Sequence, residues 1–275
     1  ERGEGAYVFD KDGNKYLDFI GGIAVNGLGH CHPAIVKCLE ERAHTILHCS
    51  NYFYNEPAVQ TARLIVENSC FDKVLFANSG AEANEGQIKL ARKYAKDHGH
   101  PERFVVITMK ESFHGRTLAT CTATGQYPVH RYFEPLPDGF RYAEFNNLDS
   151  VKAIMDEYVC AILTEPVQGE GGVRPSSREF LQGLRELCDE KGILLMFDEV
   201  QVGSGRTGKL FAHQYYGVEP DTCSMAKALG SGVPIAAVCA KGEAAKVLTP
   251  GTNGSTFAGG PLACALAATT LDVML

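Results

Sequence analysis

The chain alternates between short, continuously apolar runs rich in β-branched residues and longer stretches whose apolar positions recur every three or four residues. The runs are "KVLFA" (73–77), "RFVVIT" (103–108), "CAILTE" (160–165), "ILLMFDEV" (193–200), "DTCSMA" (221–226) and "IAAVCA" (235–240). A strand reads as continuously apolar when both of its faces are covered. Helical spacing falls at 81–98, 177–191 and 242–248 between several of these runs, and at 33–45 and 56–67 ahead of them. This alternation predicts an α/β fold: a mostly parallel central sheet with helices on both faces. In such sheets ligands bind beyond the carboxyl ends of the strands, which is where functional residues should be sought. Elsewhere, "AYVFDKDGNKYLDF" (6–19) reads as a hairpin about Asp12-Gly13-Asn14, and "EPLPDGF" (134–140) as a surface loop. The chain opens on Glu1 and closes inside the apolar helical pattern "PLACALAATTLDVML", so it reads as part of a longer protein.

Charge and composition narrow the field. A net charge of −7, with no Lys/Arg cluster longer than a pair, argues against nucleic acid and anionic membrane as partners. No signal peptide or membrane-spanning run is present. The ten cysteines are scattered without a C-x-x-C pair and read as reduced thiols packed as small hydrophobes in a cytoplasmic protein. His30, Cys31 and His32 are too close in sequence to converge on one ion, so no metal is expected.

Three features at strand ends carry chemistry. After "KVLFA" the chain runs Asn78-Ser79-Gly80-Ala81 into a long helix, whose free N–H groups favour an anion such as a phosphate. The competing reading is an ordinary capping box of Ser79 and Glu82. Asp198 ends the apolar run "LLMFD", where a carboxylate needs a cation or proton donor to meet it. That partner could be a protonated heterocycle, an Arg or a loop N–H. Lys227 is the one charge in "SMAKALGSGVPIAAV", and desolvation there would lower its pKa and suit it to Schiff-base chemistry, unless it snorkels to the surface. Taken together, phosphate cradle, ring-nitrogen carboxylate and desolvated lysine are the fixtures that pyridoxal phosphate requires.

A competing motif lies at "VGSGRTGK" (202–209), which fits the dinucleotide fingerprint and, up to its last letter, the P-loop. Leu210 replaces the Ser or Thr that would hold Mg²⁺, and Asp198 and Glu199 would face an incoming phosphate. A nucleotide-binding protein using Gly203–Lys209 is therefore the alternative from a different class. A non-catalytic relative that keeps the fold is a third.

The motifs "SGAEANEGQIKLAR", "SFHGRT", "EPVQGEGGV", "FDEVQVGSGRTGKLFA", "AKALGSGVP" and "GSTFAGGPLA" together resemble the class III pyridoxal-phosphate-dependent aminotransferases, in the same order and at similar spacing from about Gly5 onward. The resemblance implies the fold type I architecture. Residues 1–45 would belong to a smaller α+β domain and 46–275 would form the large cofactor-binding domain, with the C-terminal part of the small domain outside this chain. It implies that Ser79, Gly80 and Ala81 hold the phosphate and that Thr256 reaches it from the partner subunit of a homodimer. Phe113 would stack on the pyridine ring, Val200 would pack against the ring face, and Gln201 would lie near the phenolic oxygen. Asp198 and Lys227 would be the catalytic pair, with Lys227 as the covalent anchor. Arg116 would bind a substrate carboxylate, while Glu165 and Glu170 line the pocket. Within the class, "FIGGIAVNGLGHCHP" and "SFHGRTLAT" are most similar to the acetylornithine branch. That similarity implies N2-acetylornithine as amino donor, 2-oxoglutarate as acceptor and a place in arginine biosynthesis. Ornithine, succinylornithine and 4-aminobutyrate are the alternative donors. In the family "GxGRTG" is a turn beside the cofactor and binds no nucleotide. Asn253 and Gly260 depart from the usual His and Asn.

Overall fold

The computed structural model describes residues 1–275. Its centre is a seven-stranded sheet in the spatial order Lys73–Ala77, Ala236–Ala240, Thr222–Met225, Leu194–Asp198, Val159–Thr164, Val105–Met109 and Phe140–Ala143. Ala236–Ala240 runs antiparallel to both of its neighbours, and every other pairing is parallel. The predicted α/β sheet is thus present, with one reversed strand.

The continuous apolar runs have the expected cause. The five inner strands are buried throughout, and alternate residues feed two separate cores. Val105, Ile107, Ile162, Leu195 and Phe197 join a core with Phe180, Leu181 and Leu184 of the helix Arg178–Lys191. Val106, Ala161, Leu163, Leu194 and Met196 face the other way, against Ile88, Leu90 and Ala91 of the helix Gly80–Asp97. Period-two alternation sends neighbouring side chains to opposite faces, so a strand between two cores shows no polar face to water; in Thr222–Met225 the face of Thr222 and Ser224 is polar but buried.

Two elements differ from the sequence reading. Phe140–Ala143 is an edge strand whose residues are half-buried except for Ala143, so it lacks a continuous apolar signature. The stretch 242–248 holds only a 3₁₀ turn at Ala244–Lys246, preceded by Gly242 with a left-handed φ of +56°. The helices at Pro33–Ala43, Glu56–Glu67 and Pro261–Met274 lie where the spacing put them, and the hairpin pairs Tyr7–Phe9 with Lys15–Leu17, extended by Arg2–Glu4. No helix is long and apolar enough to cross a membrane.

The segment after Val105–Met109 is pinned back onto its strand. Glu111 N–H donates to the Gly125 carbonyl at 2.9 Å, and Gly125 N–H donates to Ser112 Oγ at 3.0 Å. A Cβ on Gly125 would lie 2.1 Å from the Met109 carbonyl oxygen, so only glycine permits this approach. We predict that Gly125→Ala lowers stability by about 1–3 kcal/mol, as overpacking against backbone does. A urea midpoint equal to that of the parent protein would contradict this.

Candidate active site

Parallel strands end at one edge of the sheet, and the loops that leave them enclose a cavity of about 420 Å³. That size lies within the roughly 300–1,000 Å³ of small-molecule sites. Its lining includes Ser79, Gly80, Ala81, Phe113, Arg116, Glu165, Glu170, Asp198, Val200, Gln201 and Lys227. Eleven positions expected to share a site therefore do so, brought from five loops. Thr256 is not among them: it is exposed on the loop before the helix Pro261–Met274 and does not line the cavity of its own chain.

One wall is the start of the helix Gly80–Asp97. Ser79, in extended conformation, caps it by accepting from Glu82 N–H at 3.2 Å. The expected capping box is modified, since Glu82 returns its carboxylate to Asn78 N–H at 2.6 Å, one residue earlier. The N–H groups of Gly80 and Ala81 have no acceptor within the helix and carry its positive end toward the cavity. A Cβ on Gly80 would meet Val200 at 2.7 Å, and one on Gly115 would meet Ala81 at 2.7 Å. The two flanking loops are thus packed directly on this helix start.

The floor is Asp198, 3% exposed. Its Oδ2 accepts from Asn84 Nδ2 at 2.7 Å and contacts His114 Nδ1 at 2.8 Å, while Oδ1 accepts from Val200 N–H at 3.0 Å. Two bare acceptors would repel at 2.8 Å, so Nδ1 of His114 carries a proton and donates it. His114 is fully buried and its Nε2 has no partner. Asn84, His114 and Ser224 were not expected from the sequence. A signal for Asn84 existed, because Asn84 and Gln87 share the buried helix stripe with Ala91 and Ala95. Polar residues on an apolar stripe need buried partners.

Lys227 follows the strand Thr222–Met225 with a left-handed φ of +44°. Burial holds its ammonium below the ordinary lysine value, opposed by the charges of Glu170, Asp198 and Glu165. Glu165, buried beside Phe113, accepts from Phe113 N–H at 3.1 Å and Gly169 N–H at 3.4 Å. Burial, reinforced by the charge of Asp198, pushes its carboxyl up to about 7 against the pull of His114 and these N–H groups. Gln201 Nε2 donates to Glu170 Oε1 at 3.2 Å, closing the cavity on that side. The Arg116 guanidinium is exposed and stands 5.4 Å from the centre of the Phe113 ring.

Glu199 does not face the cavity, contrary to expectation. Its carboxylate turns to the short helix Ala212–Tyr216, accepting from the N–H groups of Ala212 and His213 and contacting His213 Nδ1 at 3.1 Å. That helix is the first after the glycine-rich turn, and its N-terminus is already occupied by a carboxylate. The turn therefore has no helix start to offer a nucleotide phosphate.

A positive helix start, a buried carboxylate, an aromatic ring and a desolvated lysine around one cavity form a donor set suited to a phosphorylated, cationic heterocycle carrying an aldehyde. Pyridoxal phosphate has that chemistry. Comparison with known proteins agrees. Residues 1–275 match the family described as aminotransferase class-III. The chain is 52% identical over 271 residues to acetylornithine aminotransferase of Caldanaerobacter subterraneus subsp. tengcongensis, covering 98% of this chain and 69% of that protein. It is 50% identical over 273 residues to succinylornithine transaminase of Salmonella paratyphi A, covering 99% and 67%. An ornithine aminotransferase structure from Toxoplasma gondii, described as having partial occupancy of PLP at its active site, superposes with a TM-score of 0.95 at 38% identity, covering 99% of this chain and 66% of that one. The chain thus spans about two thirds of the length of these relatives. It belongs to the class-III aminotransferases, which depend on pyridoxal phosphate.

Proposed function

We propose that this protein transfers an amino group from N2-acetylornithine to 2-oxoglutarate, giving N-acetylglutamate semialdehyde and glutamate, a step of arginine biosynthesis. The convergence of Lys227, Asp198 and the helix start at Ser79–Ala81 on one cavity carries the aminotransferase reading. Identities of 52% and 50% to enzymes named for acetylornithine and succinylornithine support an acylated ornithine as donor. Alternatives within the class are succinylornithine, ornithine and 4-aminobutyrate.

Bound in this cavity, pyridoxal phosphate would supply an aldehyde carbon that takes up the amino group and a ring that accepts the electron pair left when the donor carbon loses its proton. The protein's own groups do the rest. Gly80 and Ala81 would hold the phosphate through their backbone N–H groups, and Ser79 caps the helix that presents them. Asp198 would keep the ring nitrogen protonated through its charge. Phe113, Val200 and Gln201, which line the cavity, would hold the ring. Lys227 would be the covalent anchor at the aldehyde carbon and, as a neutral amine, the group that moves the proton at the donor carbon. Its partial burial favours that neutral form. Arg116 binds a substrate carboxylate, with Glu165 and Glu170 lining the donor side.

We propose further that the protein is a cytoplasmic homodimer. Thr256, held outside its own cavity, would reach the partner's phosphate. Residues 1–45 would belong with a small domain and 46–275 with the large one.

Lys227→Ala should lower kcat by at least about a thousandfold, the scale of a lost acid–base group, while the protein still takes up the aldehyde. Near-normal turnover in the variant would refute the assignment. Among N2-acetylornithine, N2-succinylornithine, ornithine and 4-aminobutyrate, the acetylated donor should give the highest kcat/KM. A clear preference for any other would reassign the substrate. Glu165 yields a pH test on cofactor-free protein. Its folded value of about 7 exceeds the ordinary 4.5, so folding binds a proton between those limits. Its contribution is full below the lower value and is lost as pH rises toward the upper one. Glu165→Gln should flatten the fall in urea midpoint across that window, and an unchanged slope would exclude Glu165 as its source.

A further inference from the structure

Four side chains behind Asp198 form a buried chain of hydrogen bonds that no step described above uses. Thr222 Oγ donates to Gln87 Oε1 at 2.6 Å, and Gln87 Nε2 donates to Asn84 Oδ1 at 3.1 Å. Ser224 Oγ lies 2.8 Å from the same Asn84 Oδ1 and 3.3 Å from Asp198 Oδ1. Asn84 Nδ2 completes the chain, donating to Asp198 Oδ2 at 2.7 Å and to the His114 carbonyl at 2.8 Å. Asn84, Gln87, Thr222 and Ser224 are all buried.

Counting protons fixes the direction of every bond. Gln87 Nε2 also lies 3.4 Å from the Phe197 carbonyl, which can only accept, so the amide nitrogen faces Asn84 and Oε1 faces Thr222, whose hydroxyl proton must meet it. The Asn84 amide then has only one sensible orientation. Its oxygen faces two donors and its nitrogen two acceptors, and a flip would set NH₂ against NH₂ and oxygen against a carboxylate. Ser224 has one proton, and the nearer acceptor is Asn84 Oδ1. The result for Asp198 is asymmetric. Oδ2 is saturated by Asn84 and His114, whereas Oδ1 accepts from Val200 N–H and keeps a lone pair open.

We propose that Asn84 is a positioning residue for Asp198, holding the carboxylate so that Oδ1, and not Oδ2, meets the ring nitrogen of the cofactor. The inference rests on the reading of Asp198 as that nitrogen's partner. Asn84 touches neither substrate nor the reacting atoms. It acts by anchoring one carboxylate oxygen to the strand Thr222–Met225 through Ser224 and, by way of Gln87, through Thr222.

The test is titration of the purified full chain and its variants with pyridoxal phosphate, followed by steady-state kinetics with L-glutamate at saturating cofactor. Far-UV circular dichroism of the cofactor-free proteins fixes the folded fraction. Asn84→Ala should raise the Kd for pyridoxal phosphate and lower kcat by about tenfold each, the scale of one hydrogen bond to a charged group, with KM for glutamate within about twofold of the parent. Ser224→Ala, which leaves Asn84 the Gln87 donor, should act in the same direction by about two- to threefold. Parent-like Kd and kcat in Asn84→Ala would overturn the proposal. So would a raised KM with unchanged kcat, which would place Asn84 on the donor instead. Should Asn84→Ala fail to fold, Ser224→Ala decides alone, and parent-like values there overturn the proposal. A parent protein that takes up no pyridoxal phosphate would remove the reading of Asp198 and this inference with it, whereas losses confined to the variants bear on Asn84 alone.

Discussion

The carboxyl edge of the sheet is organised round one buried charge, the Asp198 carboxylate. Taking a carboxylate out of water costs several kcal/mol unless donors replace the lost hydration. Here the replacements come from three directions: Asn84 from a helix, His114 from the loop after Val105–Met109, and Val200 N–H from the residue two positions on. Each donor is itself fixed. Asn84 also donates to the His114 carbonyl, and His114 N–H donates to Thr124 Oγ at 2.9 Å. The charge therefore demands the packing of loops that would otherwise be free to drift, and those loops carry the remaining walls of the cavity. A requirement for hydrogen-bond partners becomes a requirement for shape.

Lys227 stands outside that network, and this is consistent with its chemistry. A lysine ion-paired to Asp198 would satisfy both charges and hold its ammonium protonated. The left-handed φ of +44° at Lys227, uncommon for a residue with a side chain, is held by a 3₁₀ turn whose next three residues are buried. Strain of order 1–3 kcal/mol persists only where the surroundings impose it. Partial burial then lowers the lysine's affinity for its proton without supplying a bonded counter-ion. A charge on Asp198 that is solvated but not neutralised by protein donors and a lysine that is not paired leave both groups available to a third party.

Much of this was legible in the sequence, for a physical reason. A strand covered on both faces is apolar at most positions, so Val105–Met109, Val159–Thr164 and Leu194–Asp198 could be read directly from their largely apolar runs, and with them the loops that bear function. Phe140–Ala143 could not. An edge strand with half-buried Arg141 and Tyr142 needs no apolar continuity, and its pairing with Val105–Met109 is a tertiary fact. Residues with unusual local settings were also visible: a charge at the end of an apolar run, a lysine among small residues, a serine before a helix. Asn84 and His114 were less so: Asn84 shows only as a polar residue on an apolar helix stripe, and the partner that gives each its meaning lies 114 or 84 positions away. Single-residue environments can be read locally, whereas the second member of a buried pair is set by the fold.

The glycine-rich turn shows the same limit from the other side. Gly203, Gly205 and Gly208 have the spacing of a phosphate-binding loop, yet their causes are unrelated to phosphate. A Cβ on Gly203 would lie 2.8 Å from the Glu199 carbonyl oxygen, and Gly205 and Gly208 take φ of +88° and +84°. Close approach and left-handed backbone are general demands of a tight turn, so spacing alone cannot tell one use from another. What separates them is the fate of the next helix start. Side chains alternate along an extended chain, so Asp198 faces the cavity while Glu199 faces away, into the N–H groups of Ala212 and His213. The dipeptide that orders one anion site thus closes the other. A motif that requires a free helix N-terminus is excluded wherever a buried carboxylate already supplies the anion.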